Sequence, residues 1–143
     1  MRPFIRNATA ADAPALLQIE QESFSHPHWT PEHFLKYNCI VAEIDSEVAG
    51  LLVAREIYPP DVSSGAEREI LNLAVASRFR RRGIATALLN HELSRDAAVY
   101  FLEVRESNLA AQELYRKFGF IEIARRPNYY QSPVERAIVM KMK

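Results

Sequence analysis

The chain has 143 residues, of which 48% are hydrophobic and 25% are charged, so it can bury the core of one domain. Its 18 basic and 18 acidic residues give a formal net charge of zero, which argues against a nucleic-acid partner, because duplex DNA requires a basic face. Cys39 is the single cysteine, which excludes an intramolecular disulfide and a cysteine-based zinc site.

The N-terminal residues contain no long apolar segment, and no apolar run approaches the ~20 residues of a membrane-spanning helix. We therefore expect no signal peptide, no membrane partner and a cytoplasmic location. We also expect no metal.

Apolar periodicity and turn residues divide the chain into seven strands and four helices. In chain order, the pattern predicts a strand (4–6), two helices (13–23 and 32–37), a hairpin of two strands (39–44 and 47–56), a loop (58–65), a strand (69–75), a helix (83–93), a strand (99–104), a helix (108–118) and two final strands (120–124 and 137–141). The strand–helix–strand unit over 69–104 predicts a parallel pair, and the hairpins predict antiparallel pairs.

Helix ends are marked by capping residues. Thr9 or Asp12 is the predicted N-cap of the first helix, and Thr30 followed by Pro31 predicts the start of the second. Gly119 predicts the C-terminal end of the last helix.

The most informative motif is the basic turn Arg80-Arg81-Arg82-Gly83-Ile84-Ala85, which follows the apolar run 70–75 and opens a helix. Unpaired backbone N–H groups at a helix start bind anions, phosphate above all, and arginines add charged donors. Taken alone, the turn is also compatible with a tight connection that has no ligand, since short glycine motifs are weak signals. It is neither a Walker loop nor the GxGxxG fingerprint.

Three further residues have both a structural and a functional interpretation. Glu103 lies on a predicted inner strand, where a carboxylate needs a partner such as Arg105 or another arginine, or a function. Tyr115 lies on the apolar stripe of the last helix and by position alone belongs to the core. Asn108 is a plausible N-cap of the same helix.

Taken together, these motifs resemble the GNAT superfamily of N-acetyltransferases. The resemblance rests on Leu73-Ala74-Val75, on the basic turn, on Leu102-Glu103-Val104-Arg105 and on the run from Ser107 to Phe120 that contains Asn108 and Tyr115. The segment 102–120, with Asn128-Tyr129-Tyr130 after it, is similar to the ribosomal-protein-alanine (RimI-like) branch.

The resemblance implies a single α/β domain over residues 1–143. Its fold would have a central mixed, mostly antiparallel sheet of about six to seven strands, with a splayed parallel pair and about four helices.

The resemblance also implies that acetyl-CoA is the co-substrate. The cofactor-binding residues would be Leu73, Ala74 and Val75 along the pantetheine arm, the cradle Arg80, Arg81, Arg82, Gly83, Ile84, Ala85 and Thr86 around the pyrophosphate, and Asn108 near the pantetheine. Ala85 stands where the family more often has a second glycine, and it is small enough to be accommodated. The segment between Gly83 and Glu103 is about one helical turn shorter than is usual in the branch.

For catalysis, Glu103 would match the family's general base, acting directly or through a water molecule, and Tyr115 its general acid. The acetyl group would pass directly to a primary amine through a tetrahedral intermediate, with a backbone N–H near Val75 as an oxyanion donor.

The acceptor predicted by the resemblance is a protein N-terminus, as in ribosomal-protein-alanine acetylation. Trp29, Tyr129 and Tyr130 would wall the acceptor groove, although ordinary packing explains the two tyrosines equally well. Two alternatives remain: transfer to a small amine such as an amino acid, a polyamine or a drug, and a non-catalytic acyl-CoA sensor. We expect a monomer or a weak homodimer.

Overall fold

The computed structural model describes residues 2–24, 29–57, 65–96, 98–130 and 134–142. Within them, seven strands are β1 (Phe4–Asn7), β2 (Asn38–Ile44), β3 (Glu47–Ile57), β4 (Ala66–Val75), β5 (Ala98–Arg105), β6 (Ile121–Tyr130) and β7 (Glu135–Met142). The α-helices are α1 (Ala13–Ser23), α2 (Pro31–Lys36), α3 (Ile84–Leu93) and α4 (Leu109–Lys117). Each predicted strand and helix is present in the predicted order. Except for Gly65, the predicted loop over 58–65 lies outside the described residues.

The strands are hydrogen-bonded in the order β1-β2-β3-β4-β5-β7-β6. Strands β4 and β5 run parallel, while β1–β2, β2–β3, β5–β7 and β6–β7 are antiparallel. This mixed, mostly antiparallel sheet with one parallel pair confirms the predicted fold class. The chain divides into two compact units, unit one (Met1–Arg55 and Leu71–Asp96) and unit two (Glu56–Ile70 and Ala97–Lys143).

Unit one is built on the β2–β3 hairpin. Its two-residue turn has Asp45 at φ 51° and Ser46 at φ 67°, the left-handed pair that matches the twist of a hairpin. Gly50 on β3 has no room for a side chain, because an added Cβ would lie 2.9 Å from Ile84 Cγ2 and 3.0 Å from the Ala74 carbonyl oxygen. The missing side chain lets the start of α3 pack directly on β3.

The entrance to α1 is held by charged hydrogen bonds. Arg6 Nη1 and Nη2 each donate to the Asp12 carboxylate at 2.8 Å, and the Thr9 backbone N–H donates to it at 2.7 Å. The Arg6 hydrogen bonds are the main reason that the pKa of Asp12 lies below its ordinary value. Thr9 is the N-cap of a short 3-10 turn, and Asp12 is the residue before α1. The Asp12 side chain makes no capping hydrogen bond to α1, because its carboxylate binds Arg6 and the Thr9 backbone N–H instead.

Unit two has β5 at its centre, with the buried side chains Tyr100 and Leu102. Its helix α4 ends before Gly119, which has φ 99°, as predicted. Strand β6 extends to Tyr130, well beyond the predicted end at residue 124. It is an edge strand exposed on both faces, so the alternation of apolar and polar residues that marks a half-buried strand is absent.

No helix in the described parts of the chain is both long and apolar enough to cross a membrane. The same residues bring together no group of three or more histidine, cysteine, aspartate or glutamate side chains that could hold a metal ion.

Candidate active site

The basic turn of unit one leaves β4 through a short 3-10 turn, Ser77–Phe79, and enters α3 at Gly83. Gly83 is the N-cap residue with φ 75°, and Arg81 also adopts a left-handed conformation, at φ 66°. Left-handed backbone is routine for glycine and strained for arginine, and such strain concentrates at functional sites. The two residues turn the chain into the first turn of α3, where backbone N–H groups lack a partner within the helix.

Above this turn lies an open pocket with a volume of about 350 Å³. Its lining contains seven of the predicted cofactor-binding residues: Val75, Arg80, Arg81, Gly83, Ile84, Ala85 and Thr86. A Cβ added to Gly83 would meet no atom within 4 Å, so the backbone there is accessible to a ligand. Helix-start N–H groups beside arginines and an accessible glycine backbone fit a pyrophosphate.

The three arginines of the turn are not equivalent. Arg80 Nε donates to the Val75 carbonyl oxygen at 3.3 Å, so this side chain helps to close the turn. The Arg82 guanidinium lies 5.6 Å from the centre of the Phe79 ring. Arg81 and Arg82 are both exposed, which leaves two cations facing solvent beside the helix start.

Glu103 lies on β5 just beyond the parallel ladder. The last parallel pair is Ile70–Leu102, whereas Glu103 is registered opposite Val139 on the antiparallel strand β7. Glu103 therefore lies on an inner strand, between β4 and β7, as the sequence predicts. Its side chain is 16% exposed.

Both oxygens of Glu103 accept a hydrogen bond from Arg126 Nη1, at 3.0 and 3.1 Å. Glu103 is therefore ion-paired, as one interpretation of its position predicts, and its partner is Arg126 rather than Arg105. Arg105 instead pairs with Glu135 at 3.1 Å.

Tyr115 lies on the buried face of α4, and its ring packs edge-on against Phe120 with ring centres 5.6 Å apart. Burial raises the pKa of Tyr115 above its ordinary value. The phenol therefore keeps its proton throughout the neutral range, as a proton donor must.

Two residues orient α4. The Asn108 side-chain oxygen accepts from the Ala111 backbone N–H at 3.1 Å, so Asn108 is an N-cap, as its position suggested. Gln112 is buried and its Nε2 donates to the carbonyls of Arg105 at 3.1 Å and Glu106 at 2.9 Å. These bonds tie α4, which carries Tyr115, to the end of β5. The sequence reasoning missed Gln112, although its place three residues before Tyr115 puts it on the same helical face.

The predicted wall residues lie in different surroundings. Trp29 packs on residues of α2 and the residue after it, with ring centres 5.1 Å from Phe34 and 6.5 Å from Tyr37. Tyr129 and Tyr130 lie at the end of β6 with their rings edge-to-face at 5.0 Å. Burial, and next the charge of Glu103, raise the pKa of Tyr130 to about 12.

Residues 10–120 match the model of the acetyltransferase (GNAT) family. The chain belongs to that family. It is therefore an acetyltransferase. Its co-substrate is acetyl-CoA, as predicted.

Two relatives and one solved structure support the assignment of this chain to the GNAT family. The N-alpha-acetyltransferase of Sulfurisphaera tokodaii is 33% identical over 88% of this chain and 84% of its own. The [ribosomal protein bS18]-alanine N-acetyltransferase of Salmonella typhimurium is 32% identical over 94% of this chain and 93% of its own. The crystal structure of the Escherichia coli ribosomal-protein-S18-alanine N-acetyltransferase covers 98% of this chain and 92% of its own, with 30% identity and a TM-score of 0.83. The predicted resemblance to the RimI-like branch is thus confirmed.

Proposed function

We propose that this acetyltransferase transfers an acetyl group from acetyl-CoA to the α-amino group of a protein N-terminus, as ribosomal-protein-alanine acetyltransferases do. The observation that carries the proposal is a chain of contacts in unit two that begins at the candidate base. Both oxygens of Glu103 accept from Arg126, whose guanidinium carbon lies 4.6 Å from the centre of the Tyr129 ring, and Tyr129 packs edge-on against Tyr130 with ring centres 5.0 Å apart. A carboxylate and the two predicted aromatic wall residues thus belong to one local environment.

Acetyl-CoA would be held by unit one. The backbone N–H groups over residues 81–86 and the exposed guanidinium groups of Arg81 and Arg82 would bind its pyrophosphate. The backbone of Leu73, Ala74 and Val75 would pair with its pantetheine arm, and Asn108 would contact that arm through its amide nitrogen, since its side-chain oxygen caps α4.

When bound, acetyl-CoA supplies a thioester that a free amine can attack. An α-amino group has a pKa near ~8, so much of it is protonated near neutral pH and must lose a proton first. Glu103 would accept that proton, directly or through a water molecule. The Val75 N–H would stabilise the charge that develops on the carbonyl oxygen, and Tyr115 would donate a proton to the leaving sulfur.

A covalent enzyme intermediate on cysteine is disfavoured. Cys39 is buried in β2, and burial raises its pKa to about 12, so the thiolate is scarce at neutral pH. This supports direct transfer between the two substrates.

A protein acceptor agrees with the exposure of the predicted wall. Tyr129 is 44% exposed on an edge strand, which suits an open groove better than a closed pocket for a small amine. One relative named above is an N-alpha-acetyltransferase and the other a [ribosomal protein bS18]-alanine N-acetyltransferase, which agrees with a ribosomal substrate and a cytoplasmic location.

A panel of peptides with different first residues, assayed for release of CoA, tests the proposal. We expect turnover of peptides with a free N-terminus, with an Ala-Arg start turned over fastest, and no turnover of the same peptides with a blocked N-terminus. Turnover of small amines without turnover of peptides would show that the acceptor is a small amine and not a protein N-terminus. CoA binding without turnover of peptides or amines would support the sensor.

A further inference from the structure

A single nitrogen of Arg126 donates to both oxygens of the Glu103 carboxylate. The Nη1 atom lies 3.0 Å from Oε1 and 3.1 Å from Oε2, so it sits between them. An ionised carboxylate has about four lone-pair sites, and this contact engages one on each oxygen. Within the described residues no other hydrogen bond to this carboxylate occupies the two outer sites, and the contact with Arg126 restrains its rotation.

Arg126 also contacts Tyr129. Its guanidinium carbon lies 4.6 Å from the centre of the Tyr129 ring, within the range of a cation–π contact. Tyr129 packs edge-on against Tyr130, whose ring centre lies 4.5 Å from the guanidinium carbon of Arg105. Arg126 therefore contacts both a carboxylate and an aromatic ring that is packed in place.

This arrangement depends on a bulge in β6. Residues three apart on a regular strand point to opposite faces, so Arg126 and Tyr129 would not meet. Arg126 is registered opposite Ala137 and Tyr130 opposite Glu135, so four steps on β6 match two on β7. Asn128, inside this bulge, has φ 55°. Bulges commonly re-aim side chains beside active sites, and this one brings Arg126 onto Tyr129.

A contribution to stability does not explain why Glu103, Arg126 and Tyr129 are brought together. The Arg126 side chain is 55% exposed, and exposed ion pairs contribute little to the free energy of folding. Asparagine is tolerated in the left-handed region, so the bulge at Asn128 costs little, and the surface pair that it permits adds little to stability.

We propose that Arg126 is a positioning residue that fixes the carboxylate of Glu103 in the orientation needed to accept the proton of the amine. Tyr129 then acts on the reaction by supporting Arg126. This inference rests on the proposed function, in which Glu103 is the general base.

The test compares four single variants and one double variant in steady-state assays. Arg126→Ala removes the contact, and Arg126→Lys keeps one nitrogen that can bridge both oxygens. Arg125→Ala is the matched control, because the neighbouring Arg125 is similarly exposed, at 45%, but pairs with Glu122 and Glu106. Glu103→Gln, alone and combined with Arg126→Ala, reports whether Arg126 acts through Glu103.

Small displacements of reacting groups can cost up to about 100-fold in rate, so we expect Arg126→Ala to lower kcat by about tenfold or more. The KM for acetyl-CoA and the unfolding temperature should hardly change. Arg126→Lys should recover most of the lost kcat, and Arg125→Ala should match the wild type. In the Glu103→Gln background, Arg126→Ala should have no further effect.

The possible failures are distinguishable. If Glu103→Gln keeps the wild-type kcat, the general base of the proposed function is wrong and this inference falls with it. If Glu103→Gln loses activity while Arg126→Ala does not, only the positioning role is wrong. An equal loss from Arg126→Ala in both backgrounds also overturns it, since Arg126 would then act independently of Glu103.

Discussion

Arg80 donates a hydrogen bond from Nε to the backbone carbonyl oxygen of Val75, five residues earlier in the chain. This bond folds the first arginine of the triplet back onto the end of β4. Arg81 is exposed and lines the open pocket, whereas the exposed Arg82 lies over the Phe79 ring. The three consecutive arginines therefore have different surroundings, which the sequence alone does not reveal.

Replacing Gly83 by valine should abolish acetyl-CoA binding. The left-handed conformation of Gly83 costs a residue with a Cβ roughly 1–2 kcal/mol, and the new side chain would fill the open space above the turn. Thermal unfolding with and without acetyl-CoA measures the effect. Gly65→Val is the matched control, because Gly65 also has a positive φ, 87°, and open surroundings but lies outside the basic turn. Full stabilisation of Gly83→Val by acetyl-CoA would refute the cradle.

Replacing Glu103 by glutamine should lower kcat by about 10²–10⁴-fold, the usual contribution of a general base. The dissociation constant for acetyl-CoA should stay close to the wild-type value, because the cofactor cradle belongs to unit one. Steady-state kinetics and calorimetric titration separate the two quantities. Glu106→Gln is the control, since Glu106 is an exposed partner of Arg125. Equal turnover by Glu103→Gln and wild type near neutral pH would remove Glu103 as the base.

Replacing Tyr115 by phenylalanine should lower kcat more than it changes KM. The ring and its contact with Phe120 are kept, so the loss reports the missing proton donor, with an expected size of about 10²-fold. Tyr100→Phe serves for comparison, because Tyr100 is a buried tyrosine whose hydroxyl accepts a hydrogen bond from Arg68 at 3.1 Å. If both variants lose the same fraction of kcat, the effect is one of packing.

Tyr115 should also make the protein less stable in alkali. Its pKa is raised in the folded state, so above about pH 10 the unfolded chain loses this proton while the folded chain keeps it. The free energy of unfolding then falls as the pH rises. Denaturant titrations from pH 8 to pH 11 should show a shallower decline for Tyr115→Phe than for the wild type. Parallel declines would mean that Tyr115 has the same pKa in both states.

Replacing Asp12 by asparagine should destabilise the protein by about 1.5–3 kcal/mol at neutral pH, the usual contribution of hydrogen bonds to a charged group. The pKa of Asp12 is lowered by folding, so its contribution is complete above its ordinary pKa and is lost as the pH falls through the lowered value. Denaturant unfolding at several pH values should show the difference shrinking below about pH 4.

Glu47→Gln is the control for Asp12, because the Glu47–Arg78 ion pair is more than half exposed and contributes little. A constant difference between wild type and Asp12→Asn at all pH values would show that the carboxylate charge is not the cause.

Local patterns predicted the helices and strands well. The hairpin turn at Asp45 and Ser46, the cap at Thr30 and the end of α4 at Gly119 all follow from residues within a few positions of each other. The basic turn is equally local, since its geometry depends on consecutive backbone conformations. Strand β6 was underestimated because an exposed edge strand with bulges lacks a two-residue period.

The sequence by itself determined the fold class and the family, because both depend on periodicity or on contiguous motifs. Only the tertiary structure decided which arginine holds Glu103. Arg126 is 23 residues away from Glu103 along the chain. The two side chains meet across β7, which lies between β5 and β6 in the sheet, and a bulge in β6 directs the Arg126 side chain. Register and bulges arise from pairing between distant segments, so no local pattern encodes them.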